Sequence, residues 1–318
     1  MIRRIGAAAL RAALLAACVG AASLAAAEDT PAALAALADV VYASDSDGFH
    51  AIRARVGGLY PYSNPWRFAG AAAQDTRYTQ GDFRKNVAGV LGFYRDQRRD
   101  TLAGIDVEAG VVRVSGHLRP VGDATWRLFP VPDTAIDLIA SADLVETPQA
   151  LDLGIGYTFA ALGIEHALNE RFTATGLAGW QSFTDGNSRL HLRARLIYLA
   201  VPEAGITLQL RYRQYGSRQS DVDGAYFNPE EYRQWLGVVA VRKRYAGWIL
   251  SGAAGAGSES STGAASHPSY LAEARAEGPL AGVARLILRA GYYRSAGFIE
   301  APDYGYSLVG ATLVLPFR

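Results

Sequence analysis

Apolar and polar residues alternate along much of the chain. In residues 206–215, Ile206, Leu208, Leu210 and Tyr212 alternate with Thr207, Gln209, Arg211 and Arg213. That is the period of a strand with one apolar and one charged face. The stretch before it repeats the pattern, with Leu190, Leu192, Ala194, Leu196 and Tyr198 set against Arg189, His191, Arg193 and Arg195. Between them, Val201-Pro202-Glu203-Ala204-Gly205 is rich in turn residues, so the pair reads as an antiparallel hairpin with a basic face. Farther on, Tyr270, Ala272, Ala274 and Ala276 oppose Glu273, Arg275 and Glu277, and Ala284, Leu286, Leu288, Ala290 and Tyr292 oppose Arg285 and Arg289. Near the end, Val309, Ala311, Leu313, Leu315 and Phe317 alternate strictly.

Two architectures hide an apolar sheet face. A sandwich buries it in a core, and a transmembrane barrel turns it to lipid and lines its lumen with the polar face. Many of the apolar positions here are alanine, which fills a sandwich core poorly, and aromatics such as Tyr157, Phe172, Trp180, Tyr198, Tyr212 and Tyr292 fall at strand ends, as in an interfacial girdle. The pattern therefore predicts an all-β chain, a transmembrane antiparallel barrel of about 14–16 strands. Within it, 101–109 and 110–118 read as two strands, as do 151–159 and 160–167. Two stretches carry helical spacing instead: residues 30–43, and residues 130–148, where Ile136, Ile139 and Leu144 lie between prolines. The first predicts a short helix ahead of the barrel and the second a plug, a loop helix or a pair of poor strands. No internal repeat of 20–50 residues is visible, so the barrel is expected to be one domain.

The N-terminus reads as a secretory signal: Met1-Ile2-Arg3-Arg4 is basic, residues 5–24 are mostly Ala, Leu and Gly, and Ala25-Ala26-Ala27 is a cleavage site. Leu15-Ala16-Ala17-Cys18 also resembles a lipobox, but Val19-Gly20-Ala21-Ala22 stays apolar, which favours cleavage after Ala27. The expected organisation is a signal peptide over 1–27, a short periplasmic segment over 28–48 and an outer-membrane barrel over 49–318. Cys18 is the chain's one cysteine. Cleavage after Ala27 leaves none, so a closed sheet or an ordinary core must stand in for disulfides. A net charge of +1 gives no electrostatic footprint for nucleic acid.

Little of the chain looks like chemistry. The five histidines lie far apart, with no metal-ligand spacing. Ser115-Gly116-His117 and Ser266-His267 are the local Ser–His pairs, without a G-x-S-x-G frame. No catalytic residue, metal or cofactor is expected, and a rim hydrolase is the least favoured of three readings. Asp45-x-Asp47-Gly48 and Asp221-x-Asp223-Gly224 carry a fragment of a calcium loop without its full ligand set. Arginine is abundant on the polar faces while lysine occurs only at Lys85 and Lys243. Arg189, Arg193, Arg195, Arg211, Arg213, Arg275, Arg285 and Arg289, with Glu273, are the expected lumen-lining set, bracing the wall as ion pairs or facing a polar or anionic solute.

One stretch stands apart from the alternation. Tyr226-Phe227-Asn228-Pro229-Glu230-Glu231-Tyr232, followed by Arg233-Gln234-Trp235, resembles an element of the C-terminal outer-membrane barrels of bacterial exopolysaccharide exporters, the poly-N-acetylglucosamine export porin and the cellulose synthase C subunit. The resemblance covers about a dozen residues. It implies a sixteen-stranded channel and a polysaccharide as partner. Those families also carry a periplasmic array of tetratricopeptide repeats; none precedes the predicted barrel, so export would draw on a periplasmic scaffold protein from another chain. Physically, Pro229 fixes the entry into the next strand. Tyr226, Phe227, Asn228, Pro229 and Tyr232 are the expected loop and saccharide contacts, with acids nearby to accept hydroxyl hydrogen bonds. The expected partners besides are outer-membrane lipid and the barrel assembly machinery, for a monomer in the bacterial outer membrane. A plugged, non-conducting surface or assembly protein is the alternative to the channel.

Overall fold

A computed structural model describes residues 34–219, 221–295 and 304–317. The expected signal peptide and Cys18 lie outside these residues. The strands are β1 Leu34–Asp45, β2 His50–Asn64, β3 Arg67–Gln80, β4 Phe83–Gln97, β5 Gly104–Val114, β6 His117–Val131, β7 Thr134–Leu144, β8 Gly156–Ala167, β9 Phe172–Phe183, β10 Ser188–Val201, β11 Ile206–Ser217, β12 Glu231–Tyr245, β13 Trp248–Ser261, β14 His267–Ala281, β15 Ala284–Arg294 and β16 Gly305–Phe317. Each pairs antiparallel with its sequence neighbours, and β1 closes on β16, so the sheet is a sixteen-stranded barrel. Closure leaves no unpaired edge, the condition for a sheet in hydrocarbon, where nothing else satisfies backbone N–H and C=O groups.

Alternation places the side chains. Leu138, Leu162, Leu190, Leu192, Leu208, Leu210 and Val239 are exposed on the outer face, with Tyr94, Trp126, Trp180, Trp235 and Tyr292 among them. This is the apolar, aromatic-bearing surface that lipid requires. The intervening residues face inward. Two glycines show how tightly the wall bends: a Cβ at Gly57 would stand 2.1 Å from the Ala71 carbonyl oxygen, and one at Gly110 would stand 2.1 Å from that of Val90.

Leu34 and Phe317 pair at one end of the barrel, which also holds the short connections 65–66, 132–133, 246–247 and 282–283. Longer connections, among them 145–155 and 218–230, lie at the other end. Short turns on the periplasmic side and longer loops outside are the general arrangement of such barrels, so the second end is the outer mouth.

Three expectations need correction. Residues 34–45 are not a periplasmic helix; they form β1, so the barrel starts at Leu34 rather than at residue 49. Both faces of this strand are apolar apart from Asp39 and the terminal Ser44 and Asp45, which erases the alternation. Residues 130–148 are not a plug, because Thr134–Leu144 is a wall strand paired with β6 and β8. The two double strands are single: 104–114 is one strand, and 156–167 is one strand preceded by the helix α1, Pro148–Leu153. The sixteen strands observed therefore match the upper expected number through two missed strands and two false divisions.

Helix α1 has a full set of boundary residues. The Thr147 side chain accepts a hydrogen bond from the Ala150 amide, Pro148 occupies the first turn, and Gly154 closes the end at φ 63°.

Candidate functional site

The nine charged residues expected in the lumen separate into three groups. One group braces the wall. Arg285 Nη2 lies 2.5 Å from Glu277 Oε1 and Arg275 Nη2 lies 2.9 Å from Glu277 Oε2, so one carboxylate holds two guanidiniums. Arg289 Nη2 donates to Asp39 Oδ2 at 2.5 Å, and Thr312 Oγ1 donates to the same oxygen at 2.6 Å, which ties β15 and β16 to β1 across the closing seam. Glu273 accepts the Tyr293 hydroxyl at 2.7 Å. Further braces of the same kind are Arg55–Glu108, Arg95–Asp106 and Arg127 with Asp137 and Glu165. Their signal lies in register: Asp137 stands opposite Arg127, and Asp106 opposite Arg95.

The second group is Arg189 alone, which fastens an outer loop. Its guanidinium carbon lies 4.8 Å from the Phe183 ring centre, 5.2 Å from Tyr215 and 5.4 Å from Tyr226. It donates to Ser217 Oγ at 3.0 Å, to Asn228 Oδ1 at 3.2 Å and to the Phe227 carbonyl.

The third group is Arg193, Arg195, Arg211 and Arg213. With Arg127, Asp137, Glu165, Thr175, Gln234, Ser269, Glu273 and Tyr293 they line a cavity of about 700 Å³ inside the barrel. None of the four makes an ion pair among the described residues. Arg211 donates to Gln209 at 3.0 Å and Arg213 to the Tyr232 hydroxyl at 2.8 Å. Arg193 and Arg195 are exposed to the cavity.

Two loops fold over the outer mouth. Residues 145–155 turn inward: Leu151 is wholly buried against Ala51, Tyr78, Val87, Leu91, Val112 and Val114. Lys85 Nζ lies 2.5 Å from Asp152, Ser115 Oγ donates to the Leu151 carbonyl at 2.7 Å, and the Tyr78 hydroxyl donates to Glu146 at 2.9 Å. Residues 218–230 lean on this segment, with Thr147 Oγ1 donating to the Ala225 carbonyl at 2.5 Å and Gln149 Nε2 to that of Asp223 at 3.0 Å.

The sequence element 226–232 is the fastener of the second loop. Tyr226 stacks on Phe183 at 4.9 Å, donates to Asp185 Oδ2 at 2.7 Å and accepts from Asn187 Nδ2 at 3.1 Å. Burial pushes its hydroxyl well above the usual phenol range, so it remains a donor. Asn187 Nδ2 also donates to Asn228 Oδ1 at 2.8 Å, and Asn228 donates to the Gln219 carbonyl at 2.6 Å. Tyr232 is 1% exposed, stacks on Tyr215 at 4.7 Å and donates to the buried Glu259 at 2.6 Å. Tyr226 is 3% exposed. Neither tyrosine offers a face to a sugar, which corrects their expected role as saccharide contacts. Pro229 is buried, and Phe227 and Asn228 are half-buried. Asp185 and Asn187 were legible only as turn residues in the run Thr184-Asp185-Gly186-Asn187.

Replacing Arg189 by Ala is expected to release the 218–230 loop while leaving the barrel closed. It removes two hydrogen bonds to the loop, at Phe227 and Asn228, and the cation–π contact with Tyr226, a loss of about 2–4 kcal/mol to the loop. Limited proteolysis would show it as new cleavage confined to residues 218–230, with the heat-modifiable mobility of the folded barrel retained.

The remaining polar candidates serve turns. Asp45 Oδ1 accepts the Asp47 and Phe49 amides, and Asp221 Oδ1 accepts that of Asp223. Among the described residues no three His, Cys, Asp or Glu side chains converge on one point. Ser115 Oγ is engaged by Leu151 and Lys85, and Ser266 Oγ donates to the Glu259 carbonyl at 3.2 Å.

Comparison with known proteins agrees with this fold. A family model described as "Putative beta-barrel porin 2" matches residues 113–238. A solved structure described as "Bacterial polysaccharide outer membrane secretin" is 14% identical, with a TM-score of 0.64 over 91% of this chain and 100% of that one. OpdQ of Pseudomonas aeruginosa is 12% identical, with a TM-score of 0.45 over 90% of this chain and 99% of that one. No curated protein matches the chain in sequence. The chain has the fold of a porin-like β-barrel of the bacterial outer membrane.

Proposed function

We propose that this barrel is a passive outer-membrane channel for polar solutes, and that it exports a secreted polysaccharide. The observation that carries the channel reading is the lumen cavity of about 700 Å³, lined by guanidinium, carboxylate, hydroxyl and amide groups inside an apolar outer belt. A wall that only held itself together would pair its charges, as the Asp39–Arg289 seam does; the Arg193–Arg213 surface is left for something that passes. Two observations support export, namely the likeness of the 226–232 element to exopolysaccharide exporters and the TM-score of 0.64 to a polysaccharide secretin over that structure's whole length. No bond-making step is assigned to the lumen; its residues bind, screen and release.

Osmotic swelling of liposomes tests this reading. Vesicles carrying the refolded chain are expected to swell in small neutral sugars such as arabinose, at a rate that rises with protein content. Swelling no faster than in protein-free vesicles would refute it. A plugged, non-conducting barrel is the second reading, and the inward-turned 145–155 loop with its fully buried Leu151 is the observation that favours it. The same assay separates the two.

A further inference from the structure

We infer that the β10–β11 wall carries a built site for carboxylate groups, and that the saccharide passing through the lumen is an acidic one; this rests on the channel reading above. Strand register sets Arg193 opposite Arg213 and Arg195 opposite Arg211. Directly opposed side chains stand about 4.5–5.5 Å apart at Cβ, and like charges in that position weaken a sheet. Four guanidiniums therefore share one patch at a cost to folding.

The residues directly opposite on the flanking strands bring no countercharge. Leu177 and Thr175 on β9 stand opposite Arg193 and Arg195, while Leu236 and Gln234 on β12 stand opposite Arg211 and Arg213. All four are neutral. Elsewhere in the same lumen an acid pairs with each of Arg55, Arg95, Arg127, Arg285 and Arg289. Six arginines and three carboxylates line the cavity, and the carboxylates are engaged: Asp137 and Glu165 with Arg127, and Glu273 with Tyr293. The buried Nε of Arg213 has no partner. Four guanidiniums without an ion pair among the described residues are thus gathered in one patch of the wall.

The shape of these groups narrows the ligand. A guanidinium fork matches a planar carboxylate in two parallel hydrogen bonds, which makes arginine the residue for carboxylate rather than for a small spherical ion. Thr175, Gln234, Ser269 and Tyr293 line the same cavity and supply the donors and acceptors that sugar hydroxyls use. A volume of about 700 Å³ suits a ligand of a few sugar rings. Carboxylate anchors beside hydroxyl partners describe a uronate-type saccharide.

Calorimetric titration of the refolded barrel in detergent micelles with trigalacturonate, maltotriose and sulfate tests the site without any need for conduction. The expected result is binding of trigalacturonate that weakens at least tenfold in R193Q/R195Q and weakens with added salt, with no measurable maltotriose binding and weaker sulfate binding. R193K/R195K, which keeps the charge and loses the fork, is expected to fall between. Heat-modifiable mobility checks that each variant folds, and R195Q alone stands in if the double variant does not. Equal trigalacturonate affinity in wild type and variant, maltotriose binding as tight as trigalacturonate, or sulfate binding as tight as trigalacturonate would overturn the inference. A barrel that binds trigalacturonate and does not pass solutes would instead sink the channel reading alone.

Discussion

A chain lacking residues 34–45 is expected to give no folded barrel at all. Strand β1 pairs with β16 from Leu34–Phe317 to Asp45–Tyr306 and with β2 from Ala35–Leu59 to Ser44–His50. Removing it strips two ladders and exposes the edges of β2 and β16 to lipid, where each unsatisfied backbone group costs several kcal/mol. Reclosure on fifteen strands is blocked by direction. Both β2 and β16 are antiparallel to β1, so they run the same way, and joining them would need a parallel ladder with a different hydrogen-bond register. Arg289 also loses the Asp39 carboxylate that holds it across the seam. On gels the deleted chain should show no band of altered mobility between unheated and heated samples, whereas loss of residues 28–33 alone should leave that shift intact. A folded band from the 34–45 deletion would mean that this stretch is an appendage.

The second large effect is electrostatic. Replacing Arg195 and Arg211 by Glu is expected to turn an anion-preferring lumen into a cation-preferring one. These two residues face each other across β10 and β11, and neither holds the loop anchors, so the change is confined to the cavity. Two unit charges 4 Å apart in water interact by about 1 kcal/mol. Four units of charge change at one level of the lumen therefore shift the anion-to-cation permeability ratio by at least about tenfold. The measurement is the reversal potential under a KCl gradient, which should change sign. An unchanged reversal potential would place both residues outside the conduction path.

How far the sequence reached depended on what each strand faces. Strands β10, β11, β14 and β15 were legible because their inward residues are charged and their outward ones apolar. Strands β1 and β7 were not. Ala35, Leu37, Val41 and Ala43 share the inner face of β1, so apolar residues occur at every spacing and a helix fits as well as a strand. In β7 the inward Ile139 breaks the alternation in the same way. The lumen arginines were visible as a class, but their division into braces, loop anchor and unpaired quartet depends on cross-strand register, which no local pattern carries. The 226–232 element was visible as unusual; that its tyrosines are buried fasteners follows from Phe183, Asn187 and Tyr215, which come from other strands and turns.

This closed barrel is expected to be open to polar solutes and to lean toward anions. Single-channel recording of the refolded chain in planar bilayers, on a sample that shows the heat-modifiable band, tests it most directly. Steady conductance steps with a reversal potential on the anion side are the expected result. A folded band that gives silent bilayers would contradict it and leave the inward-turned 145–155 loop as the plug of a closed barrel.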